Sequence, residues 1–361
     1  MRLKLLWCAW RTLLLLLLLP NALAAPPQFA AVTPDKPLTF PRDFGAHPTF
    51  KTEWWYATGW LQTPDHKPLG FQITFFRSAT ENDTANPSNF APKQLIIGHA
   101  ALSDPAEKKL LHGEKTARQG FGLAYAADAD TDVKLDDWHL KRSADGRYHA
   151  IVRTRDFALQ LTLQPTQAPM LQGEQGYSRK GPKPQQASYY YSEPQLTVTG
   201  TLIRQGKPLT VTGTAWLDHE WSTSVLNADA AGWDWLGANL DDGSALMAFR
   251  IRSKAGATLW SHAALRNPAG KMTQFMPDAV LFTPQRLWQS PRTKATYPVA
   301  MQLQTGGDLW HITPLQDDQE LDTRRSTGAV YWEGAVTISR DGTPAGRGYL
   351  EMTGYDKPLK L

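Results

Sequence analysis

The sequence predicts an all-β chain of two tandem antiparallel β-barrels that arose by internal duplication. Aromatic and β-branched residues alternate in short runs separated by turn residues, as strands require. No window carries a long amphipathic helical pattern. Short motifs of the first half return, in order, in the second. A β-sandwich pair is the alternative, because strand number alone does not decide closure.

The duplication rests on several matches. His99-Ala100-Ala101-Leu102 returns as His262-Ala263-Ala264-Leu265. Trp54-Trp55 and the strand ending Phe76-Arg77 match Trp233-Asp234-Trp235 and the strand ending Phe249-Arg250. Tyr191–Val198 aligns without a gap on Tyr331–Ile338, and the turn Gly206-Lys207-Pro208 falls on Gly342-Thr343-Pro344. One such match arises by chance; several in order mark a repeated unit.

Residues 1–24 read as a secretory signal peptide. Arg2, Lys4 and Arg11 accompany the leucine run Leu13–Leu19, and Ala22-Leu23-Ala24 supplies a small-residue cleavage pattern. A periplasmic or secreted location is expected. The run is too short for an ordinary span and no other stretch is apolar enough, so no integral membrane protein is expected after cleavage. Cleavage also removes Cys8, the single cysteine, and with it disulfide or thiol chemistry. It leaves 35 basic against 34 acidic residues, a balance that gives no footing for nucleic acid.

Residues 25–49 form a Pro-rich irregular lead-in. The first β-domain is expected over 50–221, with strands at Thr52–Gln62, Leu69–Ser78, Gln94–Leu102, Asp132–Arg142, Tyr148–Arg155, Phe157–Gln164, Tyr189–Ile203 and Pro208–Asp218. Asp145-Gly146 supplies a hairpin turn. Gln164–Ala187 has no periodicity, and a loop of that length is a lid, a binding loop or a disordered excursion. Residues 222–231 are the linker and 232–361 the second β-domain. Roughly eight strands per unit suit a small barrel that is either filled or holds one small ligand.

The stretch Gly213–Ser222 concentrates ionisable groups. Asp218, His219 and Glu220 lie between Trp216 and Trp221, and the second unit has no counterpart to them. In a strand Asp218 and Glu220 share one face and His219 takes the other. Carboxylates on one face push a pKa up, as an acid catalyst needs. Alternatively both pair with arginines such as Arg77 or Arg250, and His219 is a core histidine. These three are the candidate catalytic residues.

Candidate ligand contacts are Trp216, Trp221, Glu53, Trp55, Tyr56, Arg77, Trp233, Trp235 and Tyr190. Trp54 and Tyr56 share one face of their strand, Glu53 and Trp55 the other; an inward Glu53 needs a partner, and Arg77 is the obvious one. Tyr189-Tyr190-Tyr191 either lines a cavity mouth or packs on an edge strand. His99 and His262, at equivalent positions, suggest a shared structural role. The histidines are scattered without a close pair, so no metal is expected, and no nucleotide motif calls for a cofactor. No G-x-S-x-G supports a serine esterase.

The phrases His47–Gly59, Gly213–Ser222 and Gly348–Tyr355 resemble the secreted AttH-like family, related to the carotenoid 1,2-hydratases (hydroxyneurosporene synthases). The resemblance spans nearly the whole chain after the signal. It implies a calycin-type pair of lipocalin-like barrels, a secreted hydrolase or hydratase activity, and association with export-type ABC transporters. In the hydratase branch a carboxylic acid protonates an isoprenoid double bond near a D-H-x-W element, which His219 and Trp221 fit. The resemblance implies the acid on a following strand of the second unit; Ser244–Arg250 carries none there, and Asp234 and Asp241 are only neighbours in sequence. With export, duplicated barrels and aromatic richness, the expected function is binding of a hydrophobic, lipid or isoprenoid-like ligand, with a possible ABC transporter partner. The alternative is a hydratase or hydrolase acting on such a ligand by acid catalysis.

Overall fold

The computed structural model describes residues 29–82, 86–88, 90–226 and 228–359; the expected signal peptide lies outside them. The described residues form two antiparallel sheets. The first holds β1 (Thr52–Gln62), β2 (Pro68–Ala79), β3 (Gln94–Asp104), β4 (Lys109–Arg118), β5 (Ala124–Ala126), β6 (Asp132–Leu135), β7 (Trp138–Arg142), β8 (Tyr148–Arg153), β9 (Phe157–Gln164), β10 (Met170–Leu171), β11 (Tyr177–Arg179), β12 (Ala187–Arg204) and β13 (Lys207–Ser224). The second holds β14 (Ala230–Leu240), β15 (Ala245–Ser253), β16 (Thr258–Arg266), β17 (Met272–Phe275), β18 (Val280–Gln289), β19 (Thr296–Thr305), β20 (Asp308–Pro314), β21 (Glu320–Thr323), β22 (Ala329–Arg340) and β23 (Thr343–Met352).

In the first sheet β1 sits between β2 and the last strand, β13; in the second, β14 sits between β15 and the last strand, β23. The first sheet curls into a nearly closed barrel, with Gly98 of β3 against Leu135 and Trp138 near its far edge. The second curls likewise, and Ser261 of β16 donates to the Val280 carbonyl of β18. Alternation fills the interiors. On β9, Phe157, Leu159, Leu161 and Leu163 point inward and are buried while their neighbours are not. Each such side chain contributes about 1.5–3 kcal/mol on burial.

Both sheets have more strands than the sequence suggested. Asp132–Arg142 breaks in two because Asp136 takes a left-handed conformation, φ 57°. Lys109–Arg118 is an edge strand with little apolar alternation, which hides it from pattern reading. Gln164–Ala187 is an ordered loop whose strands β10 and β11 pair with β12.

The barrels pack through outward faces. Tyr56, Trp60, Trp216, Trp235, Met247, Phe249 and Tyr349 share one apolar cluster. Trp60 Nε1 donates to the Gly348 carbonyl at 2.9 Å, and Asn239 Nδ2 to that of Ala215 at 3.0 Å. Gly70 permits the approach of β2 to β22, since a Cβ there would stand 2.5 Å from that of Ala335. The lead-in covers one end of the first barrel, packing Val32, Phe44 and Phe50 on Tyr189, Tyr191 and Trp221.

Candidate functional site

The strand period splits the Asp218-His219-Glu220 triplet between two compartments. Asp218 and Glu220 face the second barrel across a cleft, with Thr52, Trp54, Tyr56, Phe76, Trp233, Trp235, Phe249, Tyr331 and Glu351 around them. The cleft is open to solvent on one side and its cavity volume is about 90 Å³.

Asp218 collects three donors. Tyr190 Oη reaches it at 2.8 Å, Ser192 Oγ at 2.6 Å and Trp216 Nε1 at 2.6 Å. Burial nevertheless pushes its carboxyl up to about 7, against the pull of those donors. Glu220 accepts from Ser188 and pairs with Lys180 Nζ at 2.9 Å. The long loop supplies Lys180, whose Nζ lies 4.7 Å from the Tyr190 ring centre and 4.2 Å from that of Phe249. Ring faces in this cleft therefore already hold a cation. Two carboxylates come from the second barrel: Glu351 lines the cleft, and Glu333 stands directly opposite it on the neighbouring strand.

His219 lies inside the covered end of the first barrel. Its Nε2 donates to Glu53 Oε1 at 2.9 Å, while Nδ1 accepts from Tyr191 Oη at 3.1 Å. Burial holds its imidazole down to about 4 despite the Glu53 carboxylate. His47, from the lead-in, meets Glu53 Oε1 through Nδ1 at 2.7 Å and Asp43 through Nε2 at 3.0 Å, and stacks on Trp221 at 3.7 Å. Arg77 Nε donates to Glu53 Oε2 at 2.7 Å. Burial would raise Glu53; the hydrogen bonds and charges of His219 and His47 win and hold it well below the ordinary carboxylate range. His47, Glu53 and His219 place possible metal-ligand atoms within 4.8 Å of one another. Both imidazoles already engage one carboxylate oxygen and Arg77 the other, so the trio forms a closed hydrogen-bonded network.

A family model described as AttH-like matches residues 31–355. The chain belongs to the AttH-like family. This AttH-like chain is similar to a solved structure assigned to AttH from Nitrosomonas europaea, with 60% identity and a TM-score of 0.86, over 91% of this chain and 100% of that one. It shares its fold with kievitone hydratase from Nectria haematococca, at 14% identity and a TM-score of 0.68, over 92% and 98% of the two chains. It shares it also with CghA in complex with Sch210972, at 14% identity and a TM-score of 0.54, over 91% and 97%. No curated protein matches the sequence.

The AttH-like structure sorts the sequence candidates. Asp218, Glu220, Tyr56, Trp233 and Trp235 line the cleft, and Tyr190 and Trp216 stand behind Asp218. His219, Trp221, Glu53, Trp55 and Arg77 instead belong to the barrel end, where Trp55 and Trp221 pack on His219. The pairing of Asp218 and Glu220 with Arg77 or Arg250 is replaced: Arg77 holds Glu53, Arg250 holds Asp234, and Lys180 serves Glu220. In both barrels the acid and arginine stand directly opposite on the first two strands, Glu53 with Arg77 and Asp234 with Arg250. His99 and His262 share no role. His99 bonds Tyr331 Oη at 2.7 Å across the domain contact, whereas His262 lies against Phe249 with Nδ1 unpartnered. Sequence reasoning missed Lys180, Glu333, Glu351 and His47. The signals were there for three of them: Glu333 aligns with Glu193 in the Tyr331–Ile338 repeat, and His47 and Glu351 lie in the phrases His47–Gly59 and Gly348–Tyr355.

Proposed function

We propose that the chain is an exported protein that takes a hydrophobic, isoprenoid-like molecule into the cleft between its barrels and adds water across a double bond by acid catalysis. The observation that carries this reading is an aromatic cleft faced by carboxyl groups, Asp218 and Glu351, that burial lifts to about 7. Such groups give up or take up a proton near neutral pH, as a general acid and a general base must. Trp54, Trp233, Trp235 and Phe76 offer ring faces to the positive charge that develops when an alkene is protonated. The fold houses a hydratase in Nectria haematococca, which is compatible with this chemistry.

The test is incubation with neutral isoprenoid alkenes, squalene and geranylgeraniol among them, in oxygen-18 water. Labelled alcohol is expected, with a loss of at least ~100-fold in Asp218→Asn. Binding without label would remove the chemistry and leave a carrier, the reading to which an ABC transporter partner belongs. Absence of binding would sink both.

A further inference from the structure

We infer that Glu351, backed by Glu333, is the proton donor of the cleft, and that Asp218 is the ionised group that receives the proton released by water. The inference rests on the hydration reading above and assigns its acid and base.

Glu333 and Glu351 face each other directly across β22 and β23. Cross-strand partners place their Cβ atoms about 4.5–5.5 Å apart on the same face. Glu333 is fully buried, and neither of its oxygens has a hydrogen-bond partner of good geometry, although the Tyr56 and Tyr331 hydroxyls stand near. Glu351 is half-buried and lines the cleft, with Trp233 Nε1 donating to one oxygen at 3.0 Å. Two carboxyl groups facing each other in a low-dielectric site do not both ionise readily; one keeps its proton, and the pair titrates as a unit. Burial, with the charge of Glu351, lifts Glu333 well above the ordinary range. Burial, with Glu220 of β13 and Asp234 of β14, lifts Glu351 to about 7. Tyr56 and Tyr349 complete the surroundings, both with buried hydroxyls that lack a partner of good geometry. The cation in reach is Lys180, which Glu220 already neutralises.

Asp218 is wired for the opposite state. Trp216 Nε1 can only donate to it. Tyr190 Oη accepts from Trp235 Nε1 at 3.0 Å, so its own proton goes to Asp218. Ser192 Oγ accepts from Gln172 Nε2 at 2.9 Å and donates likewise. Three donors suit a carboxylate, and a protonated Asp218 would have to give one up.

The step balances. The Glu351 O–H bond breaks as the alkene π pair forms a C–H bond, leaving a carboxylate and a carbocation on the adjacent carbon. A water lone pair closes the C–O bond. The extra proton on that oxygen passes to Asp218, which releases it to solvent, and the dyad takes one back. Water is added, and nothing is oxidised or reduced. Glu333 is a positioning residue: more deeply buried, it keeps the more tightly held proton of the pair and leaves Glu351 as the member that gives its proton up near neutral pH.

The experiment is carboxyl-carbon NMR titration of full-length protein labelled at glutamate, in wild type, Glu333→Gln, Glu351→Gln and Asp218→Asn, beside the oxygen-18 assay. Glu351→Gln is expected to lower the Glu333 titration by about one pH unit or more, because it removes the charge that lifts it, while Glu333→Gln, neutral like the acid it replaces, should leave the Glu351 titration in place. Glu351→Gln should also abolish label uptake, and Asp218→Asn should slow it without moving the alkaline limb of the pH–rate profile. Ordinary, independent glutamate titrations, or wild-type turnover in Glu351→Gln, would overturn the inference. If wild type hydrates none of the alkenes while the coupled titration is present, the hydration reading and the donor role fail together and the coupled pair stands.

Discussion

Removing the Glu53 carboxylate strands charge in the first barrel. Glu53 and Arg77 are 0% and 1% exposed, and their contact is 2.7 Å. In Glu53→Ala the guanidinium keeps its bonds to Gln94 Oε1 and to the His47 and Phe50 carbonyls, but loses its buried counter-ion. His47 and His219 lose their common acceptor at the same time. A buried pair broken from one side costs about 3–5 kcal/mol. Much of that is the penalty of an unpaired charge, so it should shrink when the charge goes too. Glu53→Ala, Arg77→Met and the double variant, compared by urea unfolding followed through tryptophan fluorescence, form the cycle. The double variant is expected to be at least about 1 kcal/mol more stable than the sum of the single losses predicts. Additive losses within ~0.5 kcal/mol would refute the reasoning, because they would show that neither residue senses the other's charge.

His219→Ala should lower the melting temperature while leaving cleft binding of the neutral fluorophore N-phenyl-1-naphthylamine unchanged; loss of binding with stability intact would return His219 to the site. Trp235→Ala should weaken that binding at least about tenfold, by removing a cleft wall and the donor to Tyr190, as a fluorescence titration would show. The buried histidines should weaken the folded state on acidification. The raised carboxyls Asp218, Glu333 and Glu351 favour it over the same window, so the histidine share is read from His262→Gln beside wild type. His219 and His262 are held down to about 4 and His99 to about 3 by burial, from 6.5. Below 6.5 the unfolded chain takes up protons that the folded chain refuses, so this contribution is present above 6.5 and is lost as pH falls towards 4. An unfolding-midpoint difference between His262→Gln and wild type that stays constant from pH 6.5 to 4 would contradict it. Gly70→Val should loosen the domain contact by about 1–3 kcal/mol, because its side chain meets Ala335, and should reduce fluorophore binding with it.

Much of the fold is written in local alternation. Phe157–Gln164 was legible to the residue because one face had to be apolar, and Thr52–Gln62 because its aromatic and β-branched run is buried on both faces. The motif repeat revealed two similar units before any pairing was known. The same period placed Asp218 and Glu220 on one face and His219 on the other, and the chain folds that way. Alternation fails where burial is two-sided or absent, and β4, little buried along most of its length, escaped notice for the second reason.

What the sequence determined by itself was therefore the set of faces: which side chains turn inward, which turn outward, and where the repeat begins again. What those faces meet was decided only by tertiary structure. His47 reaches Glu53 because the irregular lead-in folds back over a barrel end, and Lys180 reaches Glu220 because a loop without periodicity pairs with β12. Glu333 and Glu351 become neighbours through β22–β23 register, and Glu351 becomes a cleft residue only when the second barrel docks on the first. The physical reason is one of range. Strand alternation is set by the backbone within a few residues, whereas the field that lifts a carboxyl toward neutrality comes from burial and charges contributed by distant segments, which close packing alone brings within reach.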